Sequence, residues 1–211
     1  MIILFKKQQE LLNHMTDRQI LLNLIFTQCL LLVLSVLFLF IFYPSIAVVY
    51  EWFNWNLRQI LLLGGGLAVV VLGLDFILMK ILPDHMFDDG GINEKLFQKR
   101  TITEIFFLTA FIAIAEELFF RGVLQSTFGL LLASVVFTLL HIRYLSKWLL
   151  FLLVTIVSFC LGIVYEWTGN LWVTIFSHFL IDFIFGLQIR YQYIRTIKGN
   201  QGETTYYDEK E

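Results

Sequence analysis

Apolar positions do not alternate with polar ones along this chain. They run in long blocks, over residues 20–43, 60–82, 102–127, 129–141, 148–167 and 171–187, separated by short polar stretches. A nearly uncharged run of about 20 residues matches the helix that crosses ~30 Å of hydrocarbon. The pattern therefore predicts six membrane helices. Continuous rather than alternating blocks argue against a transmembrane barrel. The first two blocks stop at Pro44 and Pro83, the only prolines, as expected where a helix ends. Gly64-Gly65-Gly66 in the second block would let another helix approach closely.

The intervening stretches read as boundary and solvent. Residues 1–19 mix Ile2–Phe5 with Lys6, Lys7, Glu10 and Arg18, an interfacial amphipathic pattern. The block that follows is long enough to span, so it reads as a retained anchor rather than a cleaved signal. Tyr50, Trp52, Trp55 and Arg58 give residues 44–58 the composition of a membrane–water interface. Residues 83–101 hold Asp84, His85, Asp88, Asp89, Gly90 and Gly91, without the acid alternation and closing Glu of a calcium loop. They read as a solvated turn and a short interfacial helix. The polar tail from Arg190 is expected to be disordered after about residue 198.

Composition agrees with the blocks. The 211 residues are 58% hydrophobic and 15% charged, where soluble domains are about 45–50% and about 25%. The fold class is therefore all-α, a polytopic transmembrane helical bundle in contact with the lipid bilayer. Basic residues gather at the N-terminus, in 83–101 (Lys95, Lys99, Arg100), in 142–147 (Arg143, Lys147) and in the tail (Arg190, Arg195, Lys198). With six crossings all four regions share one side, so both termini are expected to be cytoplasmic, in a multi-pass integral membrane protein. A net charge of -2 without a basic cluster offers nothing to nucleic acid. Cys29 and Cys160 lie in separate blocks and read as reduced thiols. The chain divides into an N-terminal segment (1–19), two spans with their loops (20–101), a core of four apolar blocks (102–189) and a polar tail (190–211).

The ionisable residues within the blocks carry the functional signal. Charges at bilayer depth cost about 2.5–3.5 kcal/mol each on insertion scales, yet Glu116, Glu117 and Arg121 fall within one block. His141, His178 and Asp182 fall within others, and so does Asp75, which reads as facing the bundle. Glu117 and Arg121, four apart, share a helix face and can neutralise each other. Glu116 points about 100° away and lacks a local partner, which makes it the candidate general base. Asp182 lies one turn beyond His178 and can fix its tautomer. A helix unbroken over 102–127 would be ~39 Å long at 1.5 Å per residue. That puts Glu116 at mid-membrane, level with His178, and the turn at Phe128-Gly129.

Glu-Glu-Leu-Phe-Phe-Arg-Gly at 116–122, Phe-Thr-Leu-Leu-His at 137–141 and His-Phe-Leu-Ile-Asp at 178–182 resemble the ordered motifs EExxxR, FxxxH and HxxxN/D. These belong to the CPBP family, the CAAX protease and bacteriocin-processing (Abi) intramembrane proteases. The resemblance covers roughly residues 100–190. It implies an intramembrane endopeptidase acting on a membrane-associated peptide or protein, of CAAX, pheromone or bacteriocin type. Glu116 and His141 would activate water, Glu117 and Arg121 would hold the architecture, and His178 with residue 182 would stabilise the oxyanion. Asp182 stands where prenyl-protein members have Asn, and an ionised Asp cannot donate to an oxyanion. No cofactor is required on this reading. Zinc held by Glu116, His141, His178 and Asp182 is the alternative, although it consumes the free base. Two other readings use the same residues: a non-catalytic scaffold or bacteriocin-immunity protein acting by binding, and a proton-coupled transporter. The lack of an internal repeat weighs against the last.

Overall fold

The computed structural model describes residues 15–208 except 46, 142–143 and 145–146, with the backbone alone for 198–208. The expected interfacial segment before residue 15, and Arg143, lie outside the described residues. Helix α1 is Asp17–Phe42. The short α2, Ala47–Trp52, leads into α3, Leu57–Ile81. A single turn, Asp84–Met86, precedes α4, Ile92–Phe97. Helix α5 covers residues 102–128 without a break. Then come α6, Leu130–Leu140, α7, Trp148–Thr168, and α8, Leu171–Asp208. The chain is an all-α polytopic bundle. Helices α1, α3, α7 and the Leu171–Ile197 part of α8 are each long and apolar enough to cross a membrane. Helix α5 is ~40 Å long at 1.5 Å per residue, whereas α6 is only ~17 Å.

Local chemistry explains the ends. Thr16 with Gln19, and Thr101 with Glu104, form capping boxes that start α1 and α5. Gly129, at φ +88°, separates α5 from α6, and Gly169, at φ +59°, closes α7; both conformations suit glycine. Asn170 Oδ1 accepts from the Trp172 N–H and so caps α8. The backbone of α8 is helical to Asp208. Tyr191 and Arg195 stack across one turn, 5.5 Å from guanidinium carbon to ring centre.

The α5 helix is not uniform. Leu118–Gln125 is wound as π-helix, and so is Ile60–Gly65 in α3, a wider turn that the apolar pattern does not signal. Both stretches pack near the start of α8. A Cβ on Gly64 would lie 2.5 Å from the Val173 carbonyl oxygen, so α3 and α8 touch backbone to backbone there. One core cluster joins Trp52, Val123, Tyr165 and Leu171, and another joins Phe119, Phe120, Leu124 and Phe137. Large apolar side chains such as Phe26, Phe40, Val69 and Leu131 point outward, as a lipid-facing surface requires.

Polar contacts collect the basic stretches at one end of the bundle. Lys99 pairs with Asp17 at 3.1 Å and Lys147 with Asp88 at 3.1 Å. Lys95 Nζ donates to the Met15 carbonyl, and Arg190 donates to the Arg100 carbonyl. Cys29 and Cys160 are free thiols.

Candidate active site

Inside this hydrocarbon bundle lies one connected set of polar side chains, assembled from α5, α8, α7 and α1. Its anchor is Arg121, fully buried. Arg121 Nε donates to Glu117 Oε2 at 3.3 Å, and Nη2 donates to Ser158 Oγ on α7 at 3.2 Å. The guanidinium carbon sits 5.4 Å from the centre of the Phe137 ring. Glu117, also at 0% exposure, turns its other oxygen to α8, where His178 Nδ1 lies 2.9 Å from Glu117 Oε1. A carboxylate can only accept, so Nδ1 carries the hydrogen.

That contact redistributes the expected roles. The shortest contact to His178 comes from Glu117 on another helix. Asp182, one turn along α8, lies against the opposite nitrogen, 3.5 Å from Nε2. Nε2 also faces Glu116, whose Oε2 is 4.0 Å away. An imidazole with carboxylates at both nitrogens can donate from both. Glu116 is not without a partner either: Gln28 Nε2, from α1, donates to its Oε1 at 3.0 Å. Asp75 is only partly buried on α3.

His141 ends α6 and is partly buried. Its Nδ1 lies 2.9 Å from the Phe137 carbonyl, so Nδ1 donates there. The ring stacks on Phe137 at 4.6 Å and on Tyr144 at 6.2 Å. Phe137 in turn meets the His178 ring at 6.3 Å, so it links His141 to the cluster. Among the described residues no three His, Cys, Asp or Glu side chains converge to hold a metal ion.

Sequence reasoning missed Gln28, Ser158 and Tyr144. Gln28 had a signal, since an amide within the apolar block 20–43 is costly to bury. Ser158 had none, because its contact with Arg121 joins distant parts of the chain, whereas Tyr144 stacks on His141 only three residues away.

A helical membrane bundle with a buried Glu–Arg–His cluster at its centre is the class of protein that fold and site define. The family model described as "Type II CAAX prenyl endopeptidase Rce1-like" matches residues 98–184, which include Glu116 to Arg121, His141, His178 and Asp182. The chain is also 52% identical over 149 residues to an uncharacterised protein, YpbD, of Bacillus subtilis (strain 168), covering 70% of this chain and 79% of that one. The chain belongs to the Rce1-like CAAX prenyl endopeptidase family, a family of membrane-embedded hydrolases. No solved structure matches it significantly.

Proposed function

We propose that this protein is an intramembrane endopeptidase of the glutamate type, with residues 102–189 as its catalytic core. The observation that carries the reading is the approach of Glu116 Oε2 to His178 Nε2, 4.0 Å apart on separate helices of an otherwise apolar bundle. Glu116 takes a proton from a water whose oxygen attacks the scissile carbonyl, with His141 orienting that water. The tetrahedral oxyanion accepts a hydrogen bond from His178 Nε2–H. Glu116 then passes its proton to the departing amine as the C–N bond breaks, leaving a new carboxyl terminus and a new amino terminus. Glu117 and Arg121 hold His178 in place, and Asp182 acts on His178 rather than on the oxyanion.

The protein crosses the membrane six times with both termini cytoplasmic. The contacts that join Asp17, Asp88, Lys99, Lys147, Arg100 and Arg190 at one end of the bundle support that topology. The Bacillus relative supports a bacterial plasma membrane. The substrate is a membrane-associated peptide or protein, of CAAX, pheromone or bacteriocin type.

The test compares membrane and secreted peptides from cells carrying the wild type, a deletion, and Glu116→Ala at matched abundance. Protease function requires the deletion and Glu116→Ala to accumulate the same uncleaved precursor. A wild-type peptide profile with Glu116→Ala, alongside a defect in the deletion, would replace catalysis by a scaffold or immunity role. Stoichiometric zinc in the purified protein, with processing lost on chelation, would replace the glutamate mechanism.

A further inference from the structure

Helix α1 packs on the bundle along one face, and among its described residues only Ile20, Gln28 and Ser35 are buried. They are spaced eight and seven apart, one stripe facing the bundle. Ser35 satisfies itself by donating to the Leu31 carbonyl of its own helix. Gln28 does something different: at 3% exposure it donates across the bundle to Glu116 Oε1. The amide must face that oxygen with its nitrogen, because an ionised carboxylate offers no donor. The amide oxygen, Gln28 Oε1, is buried without a hydrogen-bond partner in the protein, as are those of Gln59, Gln125 and Gln188, so the bond to Glu116 is what sets Gln28 apart.

We propose that Gln28 is a positioning residue for Glu116. The inference rests on the protease reading above. Gln28 lies outside residues 98–184, the part that matches the family model. Its amide holds one carboxylate oxygen of Glu116, so the carboxylate cannot rotate freely and its other oxygen, Oε2, stays turned towards His178 Nε2. Glu117 cannot do this, because both its oxygens are engaged by Arg121 and His178. The first membrane helix thus completes the site by fixing the base, without contacting the reacting atoms.

The experiment adds two variants to the peptide comparison: Gln28→Met, close in size but without a donor, and Gln28→His, which keeps one. The precursor that accumulates in the Glu116→Ala cells then serves as substrate for steady-state kinetics with purified enzyme. Gln28→Met should accumulate that precursor and lower kcat by about 10- to 100-fold, the scale of loss expected when a reacting group shifts by ~1 Å. KM should stay within about twofold, because the interaction acts on the base and not on substrate binding. Melting temperature and membrane abundance should be unchanged, and Gln28→His should recover much of the lost kcat. A defect in Glu116→Ala with wild-type turnover in Gln28→Met overturns the positioning role alone. So does a loss of turnover that follows a loss of thermal stability, or one that Gln28→His does not relieve. If Glu116→Ala itself processes peptides normally, the protease reading fails and this role fails with it.

Discussion

The polar cluster has a dry end and a wet end. At the dry end Arg121 and Glu117 are 0% exposed, joined to each other and, through Glu117, to His178. At the wet end Asp182 keeps 30% of its side chain exposed. Further out, the Lys147–Asp88 pair keeps 25% and 56%. The dry end can exist only as a matched set, because each ion there has lost its water and depends on the other for compensation. At the wet end solvent can replace any partner that is removed. The dry end should therefore govern whether the bundle folds with His178 in place, and the wet end should only adjust what the folded site does.

The largest effect follows from unmatching the dry end. Arg121→Leu leaves the Glu117 carboxylate buried without its cation and should cost about 3–5 kcal/mol, the usual result of breaking a buried pair from one side. Thermal unfolding in detergent would show it. Replacing both partners, Glu117→Leu with Arg121→Leu, should recover much of that stability, since apolar residues of similar size often substitute for a buried pair at little cost. Processing should stay lost, because His178 Nδ1 no longer has its carboxylate. An Arg121→Leu protein as stable as wild type would show that the pair carries no structural load.

Next comes the close contact between α3 and the start of α8. Gly64→Ala would put a methyl group 2.5 Å from the Val173 carbonyl. That neighbour is backbone and cannot swing aside, so a loss of about 1–3 kcal/mol is expected. A melting temperature within error of wild type would mean that α3 and α8 are not in backbone contact. The closeness of this contact was partly legible, since Gly64-Gly65-Gly66 stands out in an apolar block. The unbroken α5, the Glu117–Arg121 pair and the nearness of His178 to Asp182 were legible too, because each depends on spacing within one helix. The π-turns, the grip of Glu117 on His178 and the hydrogen bond from Gln28 to Glu116 were not. They depend on how separate helices rotate against each other, and no local pattern records that.

At the wet end, Asp182→Asn should leave folding intact and processing within a factor of about three, less than 1 kcal/mol in the barrier. Asparagine keeps the shape and an acceptor oxygen for His178 Nε2, and partial exposure lets water make up the rest. The assay is the conversion rate of the accumulated precursor. A fall of two or more orders of magnitude would mean that the Asp182 charge is part of the chemistry and that its exposure is misleading.

The smallest effect belongs to Asp88, at the rim. Its pKa lies below the ordinary 3.8, because the Gly90 backbone N–H donates to it, with the Lys147 ammonium as the next cause. The unfolded chain takes up this proton near pH 3.8 and the folded chain only at lower pH, so between the two values the unfolded state binds more protons. Stability from this group is thus complete above that window and disappears as pH falls through it. Asp88→Asn keeps an oxygen for the Gly90 N–H and loses only the charge. It should cost less than about 1 kcal/mol near neutral pH, as exposed pairs do. The difference in melting temperature between Asp88→Asn and wild type should shrink as the pH is lowered past 3.8. Added salt should shrink it at neutral pH as well, because screening reaches an exposed pair. The Arg121→Leu deficit should withstand the same salt, since ions do not penetrate the dry end. Equal salt sensitivity at both ends would mean that water reaches Glu117.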